Sequence, residues 1–174
     1  MRKLTIDLNA VAANLAAMRQ LVNQVGNVKV LGVIKADAYG HGMVPVARKL
    51  EAEGIDYLGV ADLEEAVTLR SAGIKSRILA WLHDPTDDFV WAVKHDVDLA
   101  VSANDQLRRV VKAAASVGKP AKRHIKVDTG LGRNGGTMAE LEDLLANVAR
   151  EVTAGAVQTV GIFSHLSSTG VAED

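Results

Sequence analysis

The sequence predicts an α/β fold, a parallel (β/α)₈ TIM-type barrel that is incomplete over these 174 residues. Three observations lead there. Short runs, apolar on both faces, alternate with longer segments of helical periodicity, the pattern of repeated βαβ units in a parallel sheet. Gly54, Gly73 and Gly118 stand where three of those helical segments should end. About six βα units follow an N-terminal strand and helix, whereas a complete barrel takes about 250 residues. Six parallel strands would also suit an open doubly wound sheet. Val171-Ala172-Glu173-Asp174 comes directly after a strand and its loop, with no closing helix. Residues 1–174 are therefore expected to be the N-terminal part of a barrel cut partway through.

Leu4-Thr5-Ile6-Asp7-Leu8 alternates with period two and reads as an isolated first strand. Asn9 suits the N-cap of the helix that follows, with Val11, Leu15, Met18 and Val22 on one face and Gly26 as its stop. The repeating rhythm then begins. A strand over 28–34 precedes a helix over 44–52, and a strand over 57–61 precedes a helix over 63–72. Next come 78–82 with a helix over 88–94, and 97–101 with a helix over 106–117. A strand over 124–128 leads to a helix over 139–153, and 157–165 is the last strand. No low-complexity stretch, charge block or linker interrupts the series.

Composition removes several classes of function. Twenty Lys and Arg against 21 Asp and Glu leave a formal charge of −1, so no general basic field exists for sequence-blind nucleic-acid binding. Aromatics are 3% of residues, too few for a base-stacking platform. The absence of cysteine excludes a disulfide framework, a thiolate nucleophile and cysteine-ligated metals. Asp7 and Asn9 interrupt the N-terminus before any secretory apolar core forms, and no run reaches the ~18 apolar residues of a membrane span. The chain is expected to be soluble and cytoplasmic, with a small-molecule partner and neither nucleic acid nor membrane.

In parallel α/β folds chemistry gathers at the C-terminal ends of the strands. The first such end carries Lys35, on the strand face of Leu31 and Val33 and one step past the apolar run. Sheltered there, the amine is easier to hold uncharged, the form that adds to an aldehyde. A strand-end lysine reaching solvent is the plain alternative. Gly40 and Gly42 flank His41 just before a helix with Pro45 in its first turn, an arrangement whose backbone amides suit a phosphate. Tyr39 adds a phenol. No Gly-Lys-Ser/Thr follows, so this is not a P-loop, and His41 by itself reads as a loop histidine.

The second cluster runs from His124 to Gly136 and contains a literal G-x-G-x-x-G from Gly130 to Gly135. A dinucleotide fingerprint needs an acidic residue at the end of the next strand. That strand ends in Phe163-Ser164-His165, and bulky Arg133 occupies the turn, so the dinucleotide reading is set aside. The glycines instead aim Arg133 toward the pocket mouth. His124, Lys126 and Asp128 share one strand face, opposite Ile125 and Val127. Lys126 then either pairs with a neighbouring carboxylate or stands beside Arg133, where two cations need an anion or the loss of one charge. His165 ends the sixth strand on the face of Gly161 and Phe163, where its ring fits either the rim packing or a planar cofactor. His83-Asp84 and His95-Asp96 read as loop and helix-end polar groups, and with no H-E-x-x-H no metal is expected. No G-x-S-x-G elbow is present.

Together, Val33-Ile34-Lys35-Ala36-Asp37-Ala38-Tyr39-Gly40-His41-Gly42, Lys126-Val127-Asp128-Thr129-Gly130-Leu131-Gly132-Arg133-Asn134-Gly135 and Phe163-Ser164-His165 resemble the alanine racemase family. Gly59-Val60-Ala61-Asp62-Leu63-Glu64-Glu65-Ala66, with Leu69-Arg70 and Gly73-Ile74, is similar too. The resemblance implies a pyridoxal 5'-phosphate enzyme on a (β/α)₈ barrel, followed by a mostly β C-terminal domain that this chain lacks. It implies interconversion of L- and D-alanine, the supply of D-alanine for cell-wall synthesis, and a homodimer at full length. By the same resemblance Lys35 matches the lysine that holds the cofactor and shuttles the α-proton on one face. Tyr39 matches a ligand of the cofactor phosphate, and His165 the histidine beside the pyridine ring. Arg133 matches the arginine on the cofactor's phenolic oxygen and the substrate carboxylate. Lys126 matches a lysine carbamylated in some members, a change that would make it an anion able to pair with Arg133. The opposite-face base, a tyrosine of the partner subunit's C-terminal domain, is missing from this stretch, so the isolated chain is expected to be an inactive fragment. Another racemase or decarboxylase of the same barrel type, and a non-catalytic cofactor-binding barrel, are the alternatives.

Overall fold

The computed structural model describes residues 1–167 and Gly170. It divides into two compact units, Met1–Ala80 and Trp81–Asp174. Six parallel strands alternate with helices along the chain, three strands in each unit.

The first unit opens with a correction. Leu4–Leu8 is not a strand: residues 1–7 lie outside any regular element, and Leu8 already begins helix α1 (Leu8–Asn23). The Asp7 carboxylate accepts the amides of Asn9 and Ala10 at 2.9 and 3.3 Å. Asp7, rather than Asn9, is thus the N-cap, and its side chain satisfies the first free amides of the helix. Alternation in five residues is too short to outweigh a capping acid. Strand β1 (Leu31–Val33) precedes a single turn α2 (Lys35–Gly40), helix α3 (Met43–Ala52) and strand β2 (Tyr57–Val60). Helix α4 (Leu63–Ser71) and strand β3 (Ile78–Ala80) complete the unit. The strands pair in the order β1-β2-β3. Leu58, Val60, Ala66, Leu69, Ile78 and Ala80 are wholly buried, which places the core between the sheet and its helices. Gly32 lets α3 pack close: a Cβ there would lie 3.0 Å from Leu50 Cδ1.

The second unit contains helix α5 (Phe89–Lys94), strand β4 (Val97–Val101), helix α6 (Asn104–Val117), strand β5 (Ala121–Val127), helix α7 (Met138–Thr153) and strand β6 (Val157–Ser164). Every residue of β4 is buried. The strands pair β4-β5-β6. Gly118 closes α6 in the left-handed conformation, and Thr137 with Glu140 forms a capping box on α7. A register shift at Arg123/His124 sets His124 beside Gly161. The missing side chain matters there, since a Cβ on Gly161 would sit 3.2 Å from His124 Nδ1. Among the described residues, no helix is long and apolar enough to cross a membrane.

Arg123 departs from the apolar pattern of its strand face. It is fully buried, and the Thr159 hydroxyl accepts from Nη2 at 2.7 Å while Nε and Nη1 have no hydrogen-bond partner. Burial lowers its pKa from 12.5 to about 10. A buried cation without a carboxylate costs more in desolvation than one neutral hydrogen bond returns. Arg123→Met is expected to raise stability by about 1–3 kcal/mol, since the exposed Thr159 can turn to water. Urea denaturation checks this, and a lower midpoint would count against it.

Candidate functional site

The end of β1 is held in an unusual backbone. Ile34 N–H bonds to the Gly59 carbonyl at 2.9 Å, and ladder pairing stops there. Lys35, half-buried, follows at once. Ala36, Asp37, Ala38 and Tyr39 then all take positive φ, between 51° and 54°, so α2 is one turn of left-handed helix built without glycine. Such a conformation costs about 1–2 kcal/mol per L-residue, because Cβ crowds the following carbonyl. Backbone strain of this kind persists only where surrounding bonds over-determine it.

Those bonds are present. Ala38 N–H donates to the Ile34 carbonyl at 2.8 Å and Gly42 N–H to the Asp37 carbonyl at 2.9 Å. The Asp37 carboxylate accepts Met43 N–H at 2.6 Å, capping α3 in place of Gly42, which has no side chain to do so. His41 Nδ1 lies 2.8 Å from the Ala38 carbonyl oxygen, so it is the loop histidine its pattern suggested. From α4, Glu65 Oε1 accepts Ala36 N–H at 2.6 Å and Oε2 accepts Ala61 N–H at 2.8 Å. The left-handed turn brings Lys35 and Tyr39 to one side, with Nζ 5.9 Å from the phenol ring centroid. Tyr39 itself is exposed. The expected anion-binding amides at the start of α3 are in part already used, since Asp37 occupies that of Met43.

In the second unit Lys126 is buried, 4% exposed, and its amine lies 5.9 Å from the ring centroid of Phe163, its neighbour across the ladder. Two residues back on the same face, His124 Nε2 meets Asp98 Oδ2 at 3.2 Å, and Asp98 is buried. His124 and Lys126 both lie in β5, whereas Asp128 falls one residue past the strand and turns its carboxylate to the loop. Arg133 is exposed on the glycine loop, and His165 is exposed one residue beyond β6. A contact of 2.6 Å between the hydroxyls of Thr129 and Ser164 ties the loop that carries Arg133 to the strand end that carries His165. His83 lies in a loop and His95 caps the end of α5, as their pairs suggested, but the ring of His83 is buried. Its side chain is 1% exposed, edge-on to Phe89, and burial lowers its pKa below 6.5. Among the described residues, no group of three or more His, Asp or Glu could hold a metal ion.

The glycine loop is not an open cradle. Asp128 Oδ1 accepts the amides of Gly130 at 2.9 Å and Gly132 at 3.1 Å, so these donors face the chain's own carboxylate. That is a physical reason, beyond the missing ribose acid, why the G-x-G-x-x-G is no dinucleotide fingerprint. The loop then returns to β5, with Gly136 N–H donating to the Lys126 carbonyl and Asp128 N–H to the Gly136 carbonyl. The Gly130 amide, then that of Gly132, holds the Asp128 carboxyl below its ordinary value of 3.8. A lowered carboxyl pKa favours the folded loop above the unfolded value, and that preference is lost as pH falls through the folded value. The Gly130 and Gly132 amide resonances are therefore expected to titrate together with a midpoint below 3.8. A midpoint at or above that value would contradict the assignment.

The missed residues are Glu65 and Asp37. The signal for Glu65 was an acid three positions after a capping Asp62, whose Oδ1 accepts Glu65 N–H at 2.9 Å. What could not be read was its reach across to Ala36.

Parallel strands alternating with helices, with Lys35 at the end of the first, define a protein of the α/β barrel class. A family model described as "Alanine racemase, N-terminal domain" matches residues 6–174, and the chain belongs to that family. It is 45% identical over 168 residues to an alanine racemase of Beutenbergia cavernae, covering 97% of this chain and 44% of that protein. To an alanine racemase of Mycolicibacterium smegmatis it is 47% identical over 161 residues, covering 92% and 41%. The alanine racemase structure from D-cycloserine-producing Streptomyces lavendulae superimposes with a TM-score of 0.89 at 39% identity, over 96% of this chain and 44% of that one. The fold is thus that of the N-terminal barrel portion of alanine racemases, and the chain spans less than half the length of these relatives.

Proposed function

We propose that this chain is the cofactor-bearing part of a pyridoxal 5'-phosphate-dependent racemase that interconverts L- and D-alanine and so supplies D-alanine for the cell wall. The observation that carries the proposal is the left-handed turn that presents the Lys35 amine beside Tyr39, within a chain of this family. The donors of the first unit fit the group: a half-buried primary amine for an aldehyde and a phenol one turn away for a phosphate. When bound, the cofactor disperses the electron pair left at Cα as the proton departs.

Lys35 would hold the cofactor through its amine, and the same amine, once free, would take the proton from Cα on one face or return it there. Tyr39 would hold the phosphate. By resemblance, Arg133 would serve the cofactor and orient the substrate carboxylate, and His165 would serve the cofactor's ring. Lys126, buried close to an aromatic ring, is the residue whose carbamylation would give Arg133 an anionic partner. Net racemisation needs a base on each face. By resemblance the second is supplied across a homodimer, so the isolated chain is expected to capture cofactor while turning over L-alanine negligibly.

The test is titration of the chain with pyridoxal phosphate, then L-alanine. Saturable covalent capture of one equivalent, perturbed by L-alanine, is the expected result. Absence of capture by the folded chain would sink the proposal, and capture indifferent to amino acids would favour a non-catalytic binding protein.

A further inference from the structure

We propose that Glu65 is a positioning residue for the Lys35 amine, a two-toothed clamp that holds the strained turn in its productive handedness. The inference rests on the reading above, in which Lys35 captures the cofactor. Its basis is a matter of unmatched amides. Parallel strands that end together leave the first N–H beyond each ladder without an acceptor, and a buried or half-buried amide in that state is costly. Ala61 N–H, half-buried and directly after β2, is such a group, and Ala36 N–H, exposed and directly after Lys35, is a second amide that the ladder does not serve. One carboxylate serves both, one oxygen each, at 2.6 and 2.8 Å.

Glu65 is placed for this by its own helix. It is the third residue of α4, and in a capping box its carboxylate would turn back to the N-cap amide. Asp62 accepts Glu65 N–H as in such a box, but the Glu65 carboxylate passes over the Asp62 amide to reach Ala61 N–H one residue further back and Ala36 N–H in the turn after β1. The carboxylate sits over the N-terminal end of α4, where the helix dipole favours a negative group, and its two oxygens each accept one amide. Ala36 is also the first residue of the positive-φ run, at +51°. The clamp therefore fixes the point at which handedness reverses, and with it the direction in which the preceding lysine leaves the sheet.

An isosteric change separates clamp from packing. Glu65→Gln keeps the shape but offers one acceptor oxygen and an NH₂ that cannot accept, so one of the two amides must lose its bond. Glu65→Asp keeps the charge and is too short to span both. In each variant the Ala36 or Ala61 amide is expected to exchange at least about tenfold faster, and covalent pyridoxal phosphate capture at Lys35 to slow by about tenfold or more, a rise of roughly 1.4 kcal/mol in the barrier. Glu64→Gln, its exposed neighbour, should change neither. Unchanged amide protection and unchanged capture in Glu65→Gln would overturn the inference. So would failure of both variants to fold, which would make Glu65 a general folding residue. If the wild-type chain captures nothing at Lys35 the functional reading fails instead, and the amide exchange still judges the clamp.

Discussion

Lys35→Arg is expected to abolish covalent capture of pyridoxal phosphate. The substitution keeps the positive charge and the long aliphatic stem, so the half-buried position after β1 is still filled. What it removes is chemistry. A guanidinium has no free lone pair to offer an aldehyde, whereas a primary amine does. Capture should fall to background while stability moves by no more than about 0.5 kcal/mol, the usual size for a rim substitution away from core or cap. The split between the two readouts is informative. A large loss of stability would mean that Lys35 is a structural strand-end lysine, and retained capture would mean that another amine does the work.

Gly135→Ala is expected to be the most damaging single methyl in the chain. A Cβ at Gly135 would fall 2.5 Å from Asp128 N, 2.6 Å from the Val127 carbonyl carbon and 2.9 Å from its oxygen. All three are backbone atoms at the end of β5, so no side chain can swing aside. The residue also holds φ +133°, which L-residues rarely adopt. Relief requires breaking the return of the loop onto β5, including the bond from Gly136 N–H to the Lys126 carbonyl. A destabilisation of about 4 kcal/mol or more follows, in the range where clash and backbone strain combine. Gly132→Ala is the matched control, with φ +69° but nothing within 4 Å of its Cβ. It should cost only the left-handed penalty of about 1–2 kcal/mol. Equal melting shifts in the two variants would show that close approach to β5 is not what holds the loop.

Much of this architecture was legible because parallel strands and their helices carry patterns that survive tertiary packing. Val97–Val101 is apolar on both sides and forms β4 with the bounds its run suggests. Gly118 marks the end of α6 because only a residue without Cβ takes that left-handed cap cheaply. Leu4–Leu8 misled for the opposite reason: two alternations are a weak signal, and the Asp7 carboxylate bonds two helix amides. The candidate site was legible as residue types at strand ends and illegible as backbone. Nothing in Ala36-Asp37-Ala38-Tyr39 announces four left-handed residues, since that handedness is normally written with glycine. The turn is imposed from outside by Glu65, 29 positions away along the chain from Ala36, and a contact of that range leaves no local periodicity. The literal G-x-G-x-x-G shows the same limit from the other side. Its glycines are real, but Asp128 consumes two of the amides that a phosphate would need.

One measurement bears on all of this: borohydride reduction of the chain saturated with pyridoxal phosphate, followed by peptide mapping. A single pyridoxyl group on Lys35 is the expected outcome, because that amine leaves the sheet at the strained turn beside Tyr39. A label on Lys126 or on any other lysine, or none on a chain that still melts cooperatively, would contradict it.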